Sequence, residues 1–191
     1  VGSTGILKFT KSASNTIQTF AATGDGEWLG SIGFYGSDSS STISGRSAHI
    51  DVIQVGSAGG STVASKMEFG VSGATKMTIL NDGNVGIGTT TPHSATHIER
   101  TGNADLLKLR NKAANSGDLA IMRFSVENDP DDRRFKQGIA AERTATYGRG
   151  KLHFLNDIVA DDGNAVLADV RMTIHSDGNV GIGLTSPSAK L

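Results

Sequence analysis

His93 and His97 are four residues apart, a spacing that would align two imidazoles on a helix as metal ligands. No Glu lies between them and no helical pattern surrounds them, so solvated or packed histidine is the better reading. A metal shared on a symmetry axis would need only one histidine per chain, and the sequence leaves that open. The acidic loops "NDPDDRR" (128–134) and "ADDGNA" (160–165) have calcium-type ligands without the spacing of an EF-hand or a glycine-rich calcium repeat. They read as solvated turns. The phrase "DGNVGIGTTTP" from Asp82 to Pro92 returns as "DGNVGIGLTSP" from Asp177 to Pro187, and glycine-rich phrases can cradle phosphate. Here the dinucleotide pattern fails, because Thr91 stands where a third glycine should follow Gly86 and Gly88, and Pro92 interrupts. "GSAGGST" (56–62) lacks the lysine of a phosphate-binding loop. No G-x-S-x-G elbow is present, and paired carboxylates are recognised by distance rather than sequence. Trp28, Tyr35 and Tyr147 offer aromatic faces for stacking on sugars, although local packing is the commoner fate of such residues. The reading is a chain without a catalytic centre, cofactor or metal.

Composition narrows the classes further. The net charge is −1, with 19% charged residues of both signs interspersed, so the footprint of a nucleic-acid binder is missing. No run of 18 apolar residues exists, and "VGSTGILKF" lacks the charged and apolar regions of a signal peptide. The absence of an initiator Met points to a piece of a longer protein. There are no cysteines, which removes disulfides and thiolate metal sites. Leu, Ile, Val and Phe make up 44 of the 191 residues, and Gly another 25. So little bulky apolar material predicts a thin private core, or one shared with other copies.

The glycine phrases belong to longer matching segments, "KMTILNDGNVGIGTTTP" (76–92) and "RMTIHSDGNVGIGLTSP" (171–187). Twelve of their seventeen positions are identical, at an offset of 171 − 76 = 95. Upstream, "KMEF" (66–69) matches "KLHF" (151–154), "WLGSIGF" (28–34) loosely matches "LAIMRF" (119–124), and "GILKF" (5–9) resembles "DLLKL" (105–109). The chain therefore divides into units 1–91 and 92–186, with 187–191 opening a third. Between the K-x-x-F and M-T-I marks the second unit has ten extra residues, (172 − 151) − (77 − 66) = 10. Short alternating runs such as "HIDVIQV", "KMEFGV", "DLLKLR" and "AIMRFSV", separated by Gly, Ser, Asn and Asp, predict an all-β fold. One short helix-compatible stretch spans 135–144. Asp82-Gly83 and Asp177-Gly178 predict two-residue type I′ hairpins. That register sets Leu80 opposite Val85 and lays Met77 and Ile79 over Gly88 and Gly86. Gly181 and Gly183 repeat the arrangement, and Pro92 and Pro187 stop the ladders.

The stretch "M-T-I-x-x-D-G-N-V-G-I-G-x-T-x-P-S-A-K-L", Met172 to Leu191, resembles the recurring segment of bacteriophage tail fibres and related fibre proteins, often found upstream of an endosialidase-type intramolecular chaperone. "SPSAKL" (186–191) is similar to the opening of a following unit. The resemblance implies an elongated, intertwined homotrimer of serial β-rich units on the virion surface, partnered with further fibre or tail proteins. Contact with a host glycan or protein would lie nearer the tip, and the chain would be neither an enzyme nor membrane-inserted. Two alternatives stand beside it, a carbohydrate-binding or depolymerising tailspike module and a cellular surface adhesin repeat.

Overall fold

The computed structural model describes residues 22–37, 43–59, 62–112, 115–126 and 134–190. The described residues are all-β, and among them no helix is long and apolar enough to cross a membrane. Two compact units form, Val1–Leu106 and Leu107–Leu191, each holding one sheet.

The first sheet is built from β1 (Trp28–Ser37), β2 (Ile43–Gln54), β3 (Ser65–Val71), β4 (Ala74–Ile79), β5 (Val85–Ile87) and β6 (Thr96–Ile98), in that spatial order. All neighbours are antiparallel except β6, which runs parallel to β5. The second comprises β7 (Leu119–Phe124), β8 (Gln137–Arg143), β9 (Gly150–Asn156), β10 (Val170–Ile174) and β11 (Val180–Ile182), antiparallel throughout. Strands β7 to β11 thus repeat the order of β1 to β5. Each strand pairs with its neighbour in sequence, the commonest arrangement of consecutive strands.

Three sequence expectations need correction. The stretch 135–144 holds a strand, β8, since its glycine and alanines lie in a sheet where Ala140 packs fully buried. "DLLKLR" (105–110) lies in no strand, and Leu106, Leu107 and Leu109 are exposed. The Asp-Gly hairpin differs in type and register. Its pairs are Met77 with Ile87, Thr78 with Gly86 and Ile79 with Val85. The loop holds three residues, because Leu80 N–H donates to Asn84 O and Gly83 N–H donates to Leu80 O. Only Gly83 takes positive φ (88°), the pattern of a type I turn followed by a glycine bulge. The Asp82 carboxylate explains the choice: it accepts from the Asn84 backbone N–H and side-chain amide, both at 3.0 Å, and so stays in the ordinary φ range. Asp177 and Asn179 repeat these bonds in the second unit. The type I′ geometry occurs instead at Ser72-Gly73 (φ 52° and 73°), which joins β3 to β4.

This register puts Thr78 and Thr173, both fully buried, across from Gly86 and Gly181. The chain then folds back, so a Cβ on Gly86 would lie 2.4 Å from Thr89 O, and one on Gly181 2.6 Å from Leu184 O. Gly86 and Gly181 serve a close backbone approach over a buried threonine.

The "GILKF" segment (5–9) and all of "NDPDDRR" except Arg134 lie outside the described residues.

Gly86→Ala and Gly181→Ala are each expected to lower unfolding free energy by about 1–3 kcal/mol in urea melts, the scale of forced overpacking. Gly59→Ala, with open space around it and ordinary φ, should stay within about 0.5 kcal/mol of the parent.

Candidate functional site

Side chains alternate across each sheet, so every strand position belongs to one of two faces. On one face of the first sheet, Ile32, Ile50, Phe69, Met77 and Ile87 stand opposite one another across five strands. The second sheet repeats the row as Met122, Ile139, Phe154, Met172 and Ile182. Beside them run Val52, Met67, Ile79 and Val85, and in the other sheet Ala141, Leu152, Ile174 and Val180. None of these rows is buried: Ile87 is 44% exposed, Phe154 37% and Ile182 73%.

The opposite face is the closed one. In the first sheet it carries Ser31, Asp51, Glu68 and Thr78 at successive paired positions, the last three buried. Asp51 is held by the Ser31 hydroxyl (2.6 Å) and the Arg46 guanidinium (2.7 and 3.0 Å). Burial alone pushes its carboxyl up, but the bonds from Ser31 and Arg46 outweigh this and leave it below the ordinary carboxylate range. Arg46 also lies over the Trp28 ring, 4.5 Å from its centroid. His49 lies over Gly70, where no Cβ would fit, with Nε2 3.6 Å from Asp51. Glu68 pairs with Lys66 at 2.7 Å and accepts from Thr75 at 3.1 Å.

The second sheet fills the same positions differently. Ile121, Ala140, His153 and Thr173 replace Ser31, Asp51, Glu68 and Thr78. His153 bridges Thr173 Oγ1 and Glu142, both at 2.9 Å. The connection between β9 and β10, where the ten extra residues lie, folds over this face and brings Ala165 into a cluster with Ala140, Leu155 and Val170, with Leu167 and Ile121 alongside. Ala165 N–H donates to Phe135 O, and Lys136 clamps the segment by donating to Asp157 (2.7 Å) and Asp161 (2.6 Å). Lys136 depresses both carboxyls below the usual 3.8, helped by the Val159 N–H at Asp157 and the Gly163 N–H at Asp161.

Trp28 and Tyr35 both lie near Arg46, whose guanidinium sits over the Trp28 ring and whose Cδ shares the space above Gly33 with the edge of the Tyr35 ring. Tyr147 belongs to the other unit. Tyr147 is fully exposed and takes the left-handed conformation (φ 58°) in the turn between β8 and β9. His93 and His97 come within 6.0 Å, ring centroid to ring centroid. Among the described residues no three His, Asp or Glu side chains are grouped to hold a metal. The apolar rows were present in the alternating runs of the sequence, but period-two patterning does not reveal which face closes.

No protein-family model and no curated protein matches the chain. Among solved structures, the carboxy-terminal domain of the bacteriophage T5 L-shaped tail fibre aligns over 98% of this chain and 89% of its own, with 12% identity and a TM-score of 0.36. The same domain with its intramolecular chaperone domain aligns over 98% and 61%, at the same identity and TM-score.

Stability of the second unit is expected to be pH-dependent on the acid side. Asp157 and Asp161 are depressed when folded, so their contribution is complete above the ordinary carboxyl value of 3.8 and fades as pH falls below it. Urea midpoints followed from neutral to acid pH should show this slope in the parent and a flatter one in Lys136→Met.

Proposed function

We propose that the chain is a structural segment of a trimeric fibre of the bacteriophage tail-fibre kind, lying on the outer surface of the virion. In this reading it assembles with its own copies, joins further fibre or tail proteins, presents a host-recognition region and catalyses nothing itself. The observation that carries it is the pair of open apolar rows, one per unit, with matching residues at matching positions. Monomeric proteins rarely leave contiguous apolar faces of this kind in water, and repeated copies of one chain supply the same face as a cover. The apolar rows call for partner copies. The number three comes from the resemblance of Met172–Leu191 to fibre segments.

The carbohydrate-binding alternative has one specific observation in its favour. Tyr147 is a fully exposed aromatic in a backbone conformation that non-glycine residues seldom adopt.

Light scattering on the longest natural chain that contains these residues is expected to give one species of three copies. Phe69→Ser with Phe154→Ser should reduce it to single chains. Two copies per particle would keep self-association and overturn the trimer, and a well-folded parent monomer would overturn the fibre reading.

A further inference from the structure

A cleft of about 380 Å³ opens in the second unit, with Gly148, the residue after Tyr147, on its lining. The lining includes Ala120 and Ala141, small side chains at the β7 end of the apolar face. It also includes Arg110, Lys112 and Arg143. The segment 110–112 is tied to β7 by the Asn111 side-chain amide, which donates to Leu119 O at 2.8 Å. Arg143 is fixed through its backbone, donating to Asp118 O and accepting from Gly117 N–H.

The two acidic residues of the lining are already engaged. Asp118 accepts from the Asn115 N–H, and Glu142 faces His153 Nε2 at 2.9 Å. The three cationic side chains have no hydrogen-bonded or ionic partner among the described residues. Unpaired cations gathered around a recess, with guanidinium forks among them, match a carboxylate better than a neutral ligand. Tyr147, fully exposed and one residue from the lining Gly148, offers an aromatic face of the kind sugar rings stack on. The volume is that of a small-ligand pocket.

We propose that this cleft is a binding site for an acidic saccharide, with Arg110, Lys112 and Arg143 receiving a uronate-type carboxylate and Tyr147 packing against the sugar ring. The site deepens the carbohydrate-binding reading and is independent of the trimer. A chain that passes the light-scattering test can still fail here, and the reverse also holds.

The test is titration of the intact, folded chain with short oligogalacturonate, with its neutral methyl ester, and with inorganic phosphate. The acid form should bind, weaken as salt rises, and outcompete phosphate, while the ester should bind at least about tenfold more weakly. Arg110→Gln with Lys112→Gln should cost the acid form about tenfold or more. Tyr147→Ala should weaken it severalfold, with both variants keeping the parent's circular dichroism and mass. Equal binding of acid and ester would overturn the role of charge. Phosphate binding as tight as oligogalacturonate would overturn the saccharide assignment. No binding of the acid form, or unchanged binding in the Arg110/Lys112 variant, would overturn the site.

Discussion

Five apolar side chains in line across a sheet, facing water, are the constraint around which the rest of each unit is arranged. Full burial of one Leu-, Ile- or Phe-sized side chain is worth about 1.5–3 kcal/mol, so covering a row whose ends are exposed and whose middle is partly covered recovers on the order of 3 kcal/mol per unit. That is a sizeable fraction of the stability of a typical small domain. The opposite face cannot compensate in the first unit, where it is built from Asp51, Glu68, Thr78 and His49 and must be satisfied by hydrogen bonds. The second unit adds only a small cluster around Ala140, Leu155, Ala165 and Val170.

The two units close their polar faces by different physics on one scaffold. In the first, a carboxylate at Asp51 is balanced by Arg46 and Ser31, and Arg46 is steadied in turn by the Trp28 ring. In the second, alanine and isoleucine occupy the matching positions and a longer β9–β10 connection lies over them, clamped by Lys136. What stays constant is the closing hairpin, whose glycine bulge, bulged basic residue (Lys76 or Arg171) and fold-back over Gly86 or Gly181 recur bond for bond. A buried polar face tolerates either solution, but only glycine tolerates a carbonyl at the fold-back.

Much of this was legible in the sequence, for identifiable reasons. The alternation in "KMEFGV" and "KLHFLN" marks strands because the period of two is local, and the ten extra residues mark an insertion because the flanking motifs match. The hairpin register was not legible, since Asp-Gly fits both a two-residue and a three-residue loop. The Asp82 contact with Asn84 decides between them, and it exists only once the turn is formed. Phe135–Thr144 suits a helix by composition and becomes a strand because β7 and β9 flank it. The cations around the Tyr147 turn are more than thirty residues apart in sequence (110 and 143), so no motif announces them.

The nearest-neighbour order of the strands has a kinetic side. A chain that repeats twelve of seventeen residues risks pairing β4 with the β11 of the other unit, because the two hairpins carry nearly the same side chains. The correct pairing closes a loop of a few residues, whereas the wrong one closes a loop roughly twentyfold longer, at an added entropic cost of roughly 2.5 kcal/mol. Each hairpin can therefore form with its own partner before the distant copy competes, and sequence proximity does what sequence difference cannot. A crossover topology would have forfeited that protection, leaving two interchangeable segments free to trade places.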